Sequence, residues 1–349
     1  MPPLPKSKLI PAFFVVAALL VVPAAANATL AYTTNIFHPH IRVSKNDNGK
    51  GAKAIGAGSN AKVSPDGSLV AFERESSNGK GGPEMKLYDV ATGKTKTIFS
   101  PWRESYTFAW SPDSTMVAAL RGGEIGARTL AVVDVETGKQ KTIARGYFNG
   151  VSFSRDSKEI AFGLEASETQ YPPKTDIYRY PLAGNAAHAL THDEISGWPL
   201  WGPKGQIVFV KQLNAKQRKY GPKNDLFLMN ANGKGVKRLT HTKVDPLTSG
   251  LFPVAWSASG NQLLANFGGQ DTQYGVAVNP KTGKETSLSP GNSETGFVGA
   301  ALTANGKTVL GYLGGFEGPG SQLKIASVPY KGGKPKILVS GGFSPSWGG

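Results

Sequence analysis

The chain of 349 residues contains no cysteine, so disulfides, thiolate metal centres and a cysteine nucleophile are excluded. Packing alone has to hold the fold. Acid is scarce: 24 Asp and Glu stand against 39 Lys and Arg, a formal charge of +15. Only 5 residues are histidine, which leaves few candidates for imidazole chemistry. Beyond the first thirty residues, no apolar run approaches the ~18 residues of a membrane helix. No G-x-S-x-G nucleophile elbow occurs, which removes the α/β-hydrolase arrangement. What is plentiful is turn residue, 44 Gly and 24 Pro, without the G-X-Y period of collagen. With 39% hydrophobic residues the chain is not of disordered composition, and it reads as many short strands joined by turns.

The start of the chain reads as a targeting signal. Lys6 and Lys8 precede an apolar stretch over residues 9–26, and Ala26-Asn27-Ala28 has the A-x-A cleavage pattern. A signal peptide over 1–28, cut before Thr29, is expected; an uncleaved anchor is the competing reading. Removing Lys6 and Lys8 lowers the charge to +13. The mature protein is then expected to be periplasmic or secreted, with no transmembrane segment.

An internal period organises the rest. A turn motif recurs as Ser64-Pro65-Asp66-Gly67, Ser111-Pro112-Asp113-Ser114, Ser154-Arg155-Asp156-Ser157, Gly202-Pro203-Lys204-Gly205, Ser257-Ala258-Ser259-Gly260 and Thr303-Ala304-Asn305-Gly306. Proline at the second place presets φ, and Asp, Asn or Gly suits the tight turn. A large or apolar residue precedes each copy: Val63, Trp110, Phe153, Trp201, Trp256 and Leu302. An apolar run follows each, then a second hairpin closed by Gly93, Gly138, Gly184, Gly233, Gly283 or Gly332. Four strands in about 45 residues is the spacing of propeller blades. At the ends, Trp347 continues the positional series, while residues 30–55 hold strands that lack a first strand. Pairing the C-terminal strand with the N-terminal ones closes a ring without a free sheet edge. The expectation is an all-β propeller over 29–349, with seven four-stranded blades favoured and six as the alternative.

The registered Ser-Pro-Asp-Gly turns after an aromatic, together with the split closure, resemble the TolB-type, WD-like propeller repeat over essentially all of residues 30–349. That resemblance implies a periplasmic propeller that binds other envelope proteins. Two departures stand out: the extra α/β domain that precedes the TolB propeller has no counterpart here, and TolB has six blades.

Candidate site residues follow from the architecture. Segments leading into each innermost strand converge on one axial face, and they hold Trp102, Arg103, Glu104, Tyr106, Arg145, Tyr147, Phe148, His192, Asp193, Glu194, His241, Asp245 and Glu294. Aromatic and charged residues around a concave mouth suit binding. His192 and His241 hold equivalent places after Leu-Thr in adjacent repeats, but two imidazoles fall short of the three protein ligands of a catalytic zinc site. Asp89 and Asp134 read as turn formers on separate blades. No catalytic set, metal or cofactor is therefore assigned.

Charge is uneven. Between Trp201 and Lys243 there are ten basic residues and a single acid, Asp225. The longest interval between repeats lies here, and its basic loop carries Lys211, Lys216, Arg218, Lys219 and Lys223. Such a loop attracts an envelope protein with an acidic surface or an anionic envelope polymer. Nucleic acid is disfavoured by the leader and by the single aromatic, Tyr220, in the loop. The functional expectation is a monomeric, non-catalytic binding scaffold. The alternative is a propeller lyase or hydrolase acting on polysaccharide or peptide at the axial face.

Overall fold

The computed structural model describes residues 28–74, 84–99, 108–121, 127–166, 174–214, 223–244, 248–269, 272–289, 296–314 and 323–349. All but the last residue of the expected leader lies outside them. The described residues form 27 strands. They contain no helix long and apolar enough to cross a membrane.

Antiparallel pairing sorts the strands into seven four-stranded groups. The first three strands, β1 (Thr29–Thr34), β2 (His40–Ser44) and β3 (Lys53–Ala57), join the last, β27 (Gly342–Gly348), in the order β27-β1-β2-β3. This is the closing unit. Unit one is β4 (Ser59–Val63), β5 (Leu69–Arg74), β6 (Glu84–Asp89) and β7 (Thr95–Phe99). Unit two is β8 (Phe108–Trp110), β9 (Met116–Arg121), β10 (Arg128–Asp134) and the first half of β11 (Gln140–Phe153). The second half of β11 opens unit three, with β12 (Glu159–Glu165), β13 (Thr175–Pro181) and β14 (His188–Ala189). Unit four is β15 (Ser196–Trp201), β16 (Gln206–Gln212), β17 (Asn224–Asn230) and β18 (Lys237–Arg238). Unit five is β19 (Thr248–Trp256), β20 (Leu263–Gly269), β21 (Gln273–Val278) and β22 (Glu285–Ser287). Unit six is β23 (Phe297–Leu302), β24 (Thr308–Leu313), β25 (Lys324–Pro329) and β26 (Lys336–Ser340).

The core is divided in the same way. Strand side chains alternate between the two faces of a sheet, so each unit sends alternate residues to its two neighbours. In β5, Val70 and Phe72 pack toward the closing unit with Ile41 and Val43, while Ala71 packs with Val117 and Ala119 of unit two. Corresponding layers join units two and three, three and four, four and five, and five and six. A last layer joins Leu310 and Ile325 of unit six to Leu30 and Tyr32 of the closing unit. The packing is thus cyclic. Phe72, Phe162 and Phe209 are almost fully buried in these layers, each contributing roughly 1.5–3 kcal/mol of transfer free energy.

In every unit but the second, whose described first strand is Phe108–Trp110 alone, the first strand carries a bulge. Register slips occur between Ser59 and Lys62, Asn149 and Val151, Gly197 and Leu200, Pro253 and Ala255, and Gly299 and Ala301. At the same repeat position Asn60, Trp198 and Ser344 have φ of 53°, 48° and 46°, in the left-handed region that costs most for a bulky residue such as Trp198. The bulge turns backbone groups toward the neighbouring unit. Trp198 N–H donates to Asn149 Oδ1 at 3.0 Å, and Val63 N–H donates to Ser346 Oγ at 3.0 Å.

Candidate binding faces

The ring has two ends. The described connections from the last strand of one unit toward the first of the next, at 190–195 and 239–244, lie at one end. The recurrent Ser-Pro-Asp turns and the Gly turns lie at the other.

Of the residues expected at the axial face, Trp102, Arg103 and Tyr106 lie outside the described residues, as do Glu104, Asp245 and Glu294. Arg145 and Tyr147, expected on a loop, are instead inside the continuous strand β11, opposite Thr129 and Glu165. The strand is continuous through both residues and paired on both halves, which removes the loop. Phe148 is buried and stacks edge-on against Phe162 at 5.6 Å, so it belongs to the core.

The Leu-Thr-His segments have a structural cause. Thr191 Oγ1 donates to Asp176 Oδ1 at 2.8 Å and accepts the Ile177 N–H at 2.8 Å. One unit later Thr240 Oγ1 donates to Asp225 Oδ1 and accepts the Leu226 N–H at 3.0 Å. Each clasp ties the end of a unit to the start of its third strand. The threonine does this work, and the following His192 and His241 project into solvent. Among the described residues no three His, Asp or Glu side chains converge as a metal-ligating group.

The nearby carboxylates are engaged within the protein. Asp193 accepts from Lys211 Nζ at 2.8 Å, Ser196 Oγ at 3.0 Å and Ile195 N at 3.2 Å. Burial pushes its carboxyl up, but Lys211, Ser196 and Ile195 outweigh that and hold it below the ordinary carboxylate range. Glu194 pairs with Lys174 at 2.5 Å, and buried Asp225 is held by Arg238 through Nε at 2.9 Å and Nη2 at 2.8 Å. Glu285 accepts the Thr242 hydroxyl at 2.9 Å; burial, with Asp225 nearby, pushes its carboxyl above the ordinary range.

The basic run divides. Lys216, Arg218 and Lys219 lie outside the described residues. Lys211 is in strand β16 rather than a loop, paired with Asp193 and 5.6 Å above the Phe227 ring. Lys223 stands just before β17, its N–H donating to Asn214 Oδ1 at 2.8 Å. Asp89 and Asp134 are turn formers, accepting the N–H of Thr92 and of Thr137, each at 2.7 Å.

The other end holds a feature that the sequence reading did not assign. The turns form a rosette: Ser64 Oγ donates to Asp66 Oδ1 at 2.6 Å, and Ser111 to Asp113 likewise. Asp66 N–H donates to Ser114 Oγ at 3.1 Å, Arg155 Nη1 to Pro203 O at 3.0 Å, and Gly349 N–H to Pro65 O at 2.9 Å. Inside the rosette lies a cavity of about 510 Å³. Trp110, Phe153, Trp201, Trp256, Leu302 and Trp347, each from a different unit, line it, and Pro65 brings in the remaining one. The sequence signal was the shared place of these residues before each turn, but their convergence depends on ring closure.

This architecture has solved counterparts. The β-propeller domain of the Trilobed protease from Pyrococcus furiosus, whose propeller has an open velcro topology, superposes with a TM-score of 0.66 at 16% identity, covering 90% of this chain and 93% of that one. TolB from Acinetobacter baumannii gives a TM-score of 0.55 at 15% identity, covering 92% and 82%. The fold is a TolB-type β-propeller. An oligogalacturonate lyase in complex with manganese gives 0.60 at 14% identity, covering 89% and 84%. The sequence matches no protein-family model and no curated protein. The chain therefore shares its fold with enzymes as well as with TolB. Its own side chains have to supply the functional argument.

Proposed function

We propose that the protein is an exported, non-catalytic propeller scaffold whose basic fourth unit docks an acidic envelope protein or an anionic envelope polymer. The observation that carries this reading is the contrast in charge. Asp176, Asp193, Asp225 and Glu194 are engaged by partners within the protein, two of them by Lys211 and Arg238, while eight further Lys and Arg stand between Trp201 and Lys243 with no further acid. Lysines crowded on one unit raise the local potential and steer an anionic surface toward it. The leader supports export. Strand β1 begins at Thr29, the residue after the expected cut, so the mature chain keeps every residue of the ring's first strand.

The test is affinity capture of the mature protein with envelope extract at two salt concentrations, beside the Lys216→Glu, Arg218→Glu, Lys219→Glu triple variant. The expected result is capture that falls with salt in the parent and is at least tenfold weaker in the variant. Equal capture and equal salt dependence in both proteins overturn the basic-unit reading. Mass spectrometry of the exported protein is expected to give a chain starting at Thr29; a mass that includes residues 1–28 favours the anchor instead.

A further inference from the structure

The cavity at the turn end carries one charged departure from the repeat. The second turn position is Pro65, Pro112, Pro203, Ala258 and Ala304 in five units, small or preset for the turn, but Arg155 in unit three. The Arg155 side chain lies on the cavity wall, where its Nη1 donates to Pro203 O of the next unit at 3.0 Å. A guanidinium has five N–H donors in a planar fork, so one bond fixes it and the fork still suits a carboxylate. A long charged side chain placed where the repeat uses proline or alanine, and pinned to its neighbour, is a local inconsistency of the kind that marks a site.

The rest of the wall fits an apolar body. The indole N–H groups of Trp110, Trp256 and Trp347 donate to Lys62 O, Leu200 O and Asp47 O at 3.0, 3.4 and 3.3 Å. Their donors are spent on the protein, which leaves the cavity lined by aromatic carbon from several units. Asp47, the other charged side chain on the wall, belongs to the closing unit, three units away from Arg155 around the ring. The mature chain's expected charge of +13 favours an anion over a cation. The cavity, whose wall includes Ala28, the last residue of the expected leader, has a volume of about 510 Å³, within the usual range for small-ligand pockets, roughly 300–1,000 Å³.

We propose that this cavity binds an organic carboxylate with an aromatic or alicyclic body. The carboxylate pairs with the Arg155 fork, and the body sits among Trp110, Trp256 and Trp347. The site is at the opposite end of the ring from the connections considered above and does not rest on the basic-unit reading.

The experiment titrates the full mature chain with 2-naphthoate by calorimetry and tryptophan fluorescence, with uncharged 2-naphthylmethanol as comparison. Saturable naphthoate binding is expected, with the alcohol at least tenfold weaker. Arg155→Gln and Arg155→Pro, the second of which restores the repeat, should weaken naphthoate at least tenfold, leave the alcohol unchanged and keep the parent melting temperature. Ala258→Trp, which fills the cavity, should abolish binding of both; Ala304→Phe serves the same purpose if that variant does not fold. Unchanged naphthoate affinity in Arg155→Gln overturns the proposal. So does binding that survives a filled cavity, or no saturable binding at millimolar naphthoate. The triple variant Lys216→Glu, Arg218→Glu, Lys219→Glu should bind naphthoate like the parent, which separates the two sites.

Discussion

Leu30 stands directly opposite Trp347 in the ladder between β1 and β27, so the two ends of the described chain share one sheet. The seam is reinforced on the side of unit one. Thr29 Oγ1 donates to Gly67 O at 2.8 Å, and Ser346 Oγ accepts the Val63 N–H at 3.0 Å. Ring closure is therefore made by backbone pairing and by packing against both neighbouring units, not by a covalent link.

Gly348→Ala tests that seam. A Cβ at this position meets Ser64 O at 2.0 Å and Val63 Cγ1 at 2.6 Å, both in the neighbouring unit. The substitution is expected to destabilise by about 1–3 kcal/mol, the usual cost of overpacking, in urea denaturation. Gly268→Ala is the control, because its Cβ meets nothing closer than Phe252 Cε2 at 3.5 Å and its φ, like that of Gly348, lies outside the left-handed region. Equal losses in the two variants contradict a tight seam.

The threonine clasps should be worth more than their exposed histidines. Thr240→Val keeps the shape but removes the hydroxyl that serves both buried Asp225 and the Leu226 N–H. A loss of about 1–3 kcal/mol is expected, from leaving buried polar groups without a partner. Thr240→Ser should recover most of it. His241→Ala should leave stability within about 0.5 kcal/mol of the parent, as for surface substitutions.

Two sets of carboxylates predict opposite pH effects. Asp66 and Asp113 are partly buried, which pushes their carboxyls up, but serine hydroxyls and backbone N–H groups outweigh this. Their folded pKa values lie below the ordinary 3.8. The stability they contribute is present above that value and is lost as pH falls through the depressed folded values. Glu285 has the reverse sign: burial and Asp225 raise its folded pKa above the ordinary 4.5. Ionised Glu285 then costs stability, fully at pH above the raised value and not at all below the ordinary one. Glu285→Gln should raise the melting temperature at pH 7 and leave it unchanged at pH 4. A rise of the same size at both values would falsify this assignment.

Metal analysis of the purified protein separates the scaffold reading from the enzyme reading. Substoichiometric transition metal is expected, unchanged in His192→Ala and His241→Ala. One bound metal per chain that disappears in either variant favours catalysis at the axial face.

Much of the fold was legible because the repeat is written in local chemistry. Ser64-Pro65-Asp66-Gly67 and its relatives predict tight turns, and alternating apolar residues such as Val70, Ala71 and Phe72 predict strands with two buried faces. The end-to-end pairing was legible as well, since Trp347 continues the positional series of Trp110 and Trp256. The site was less so. Arg145 and Tyr147 were expected on a loop, but β11 runs unbroken from one unit into the next, and nothing in Ala144-Arg145-Gly146 separates a strand from a turn. Lys211 was counted among free loop charges, yet Asp193, eighteen residues earlier, claims it.

The sequence alone determined the strand-turn-strand repeat, because each element depends on residues a few places apart: proline and aspartate in the turn, alternation in the strand. Only the tertiary structure decided what the repeated aromatics do. The bulge that leaves Trp198 at a φ of 48° is not written in its own side chain; contact with Asn149 of the neighbouring unit stabilises it. Likewise Trp110, Trp201, Trp256 and Trp347 lie tens of residues apart along the chain, and only a closed ring places them around one cavity with Arg155 on its wall.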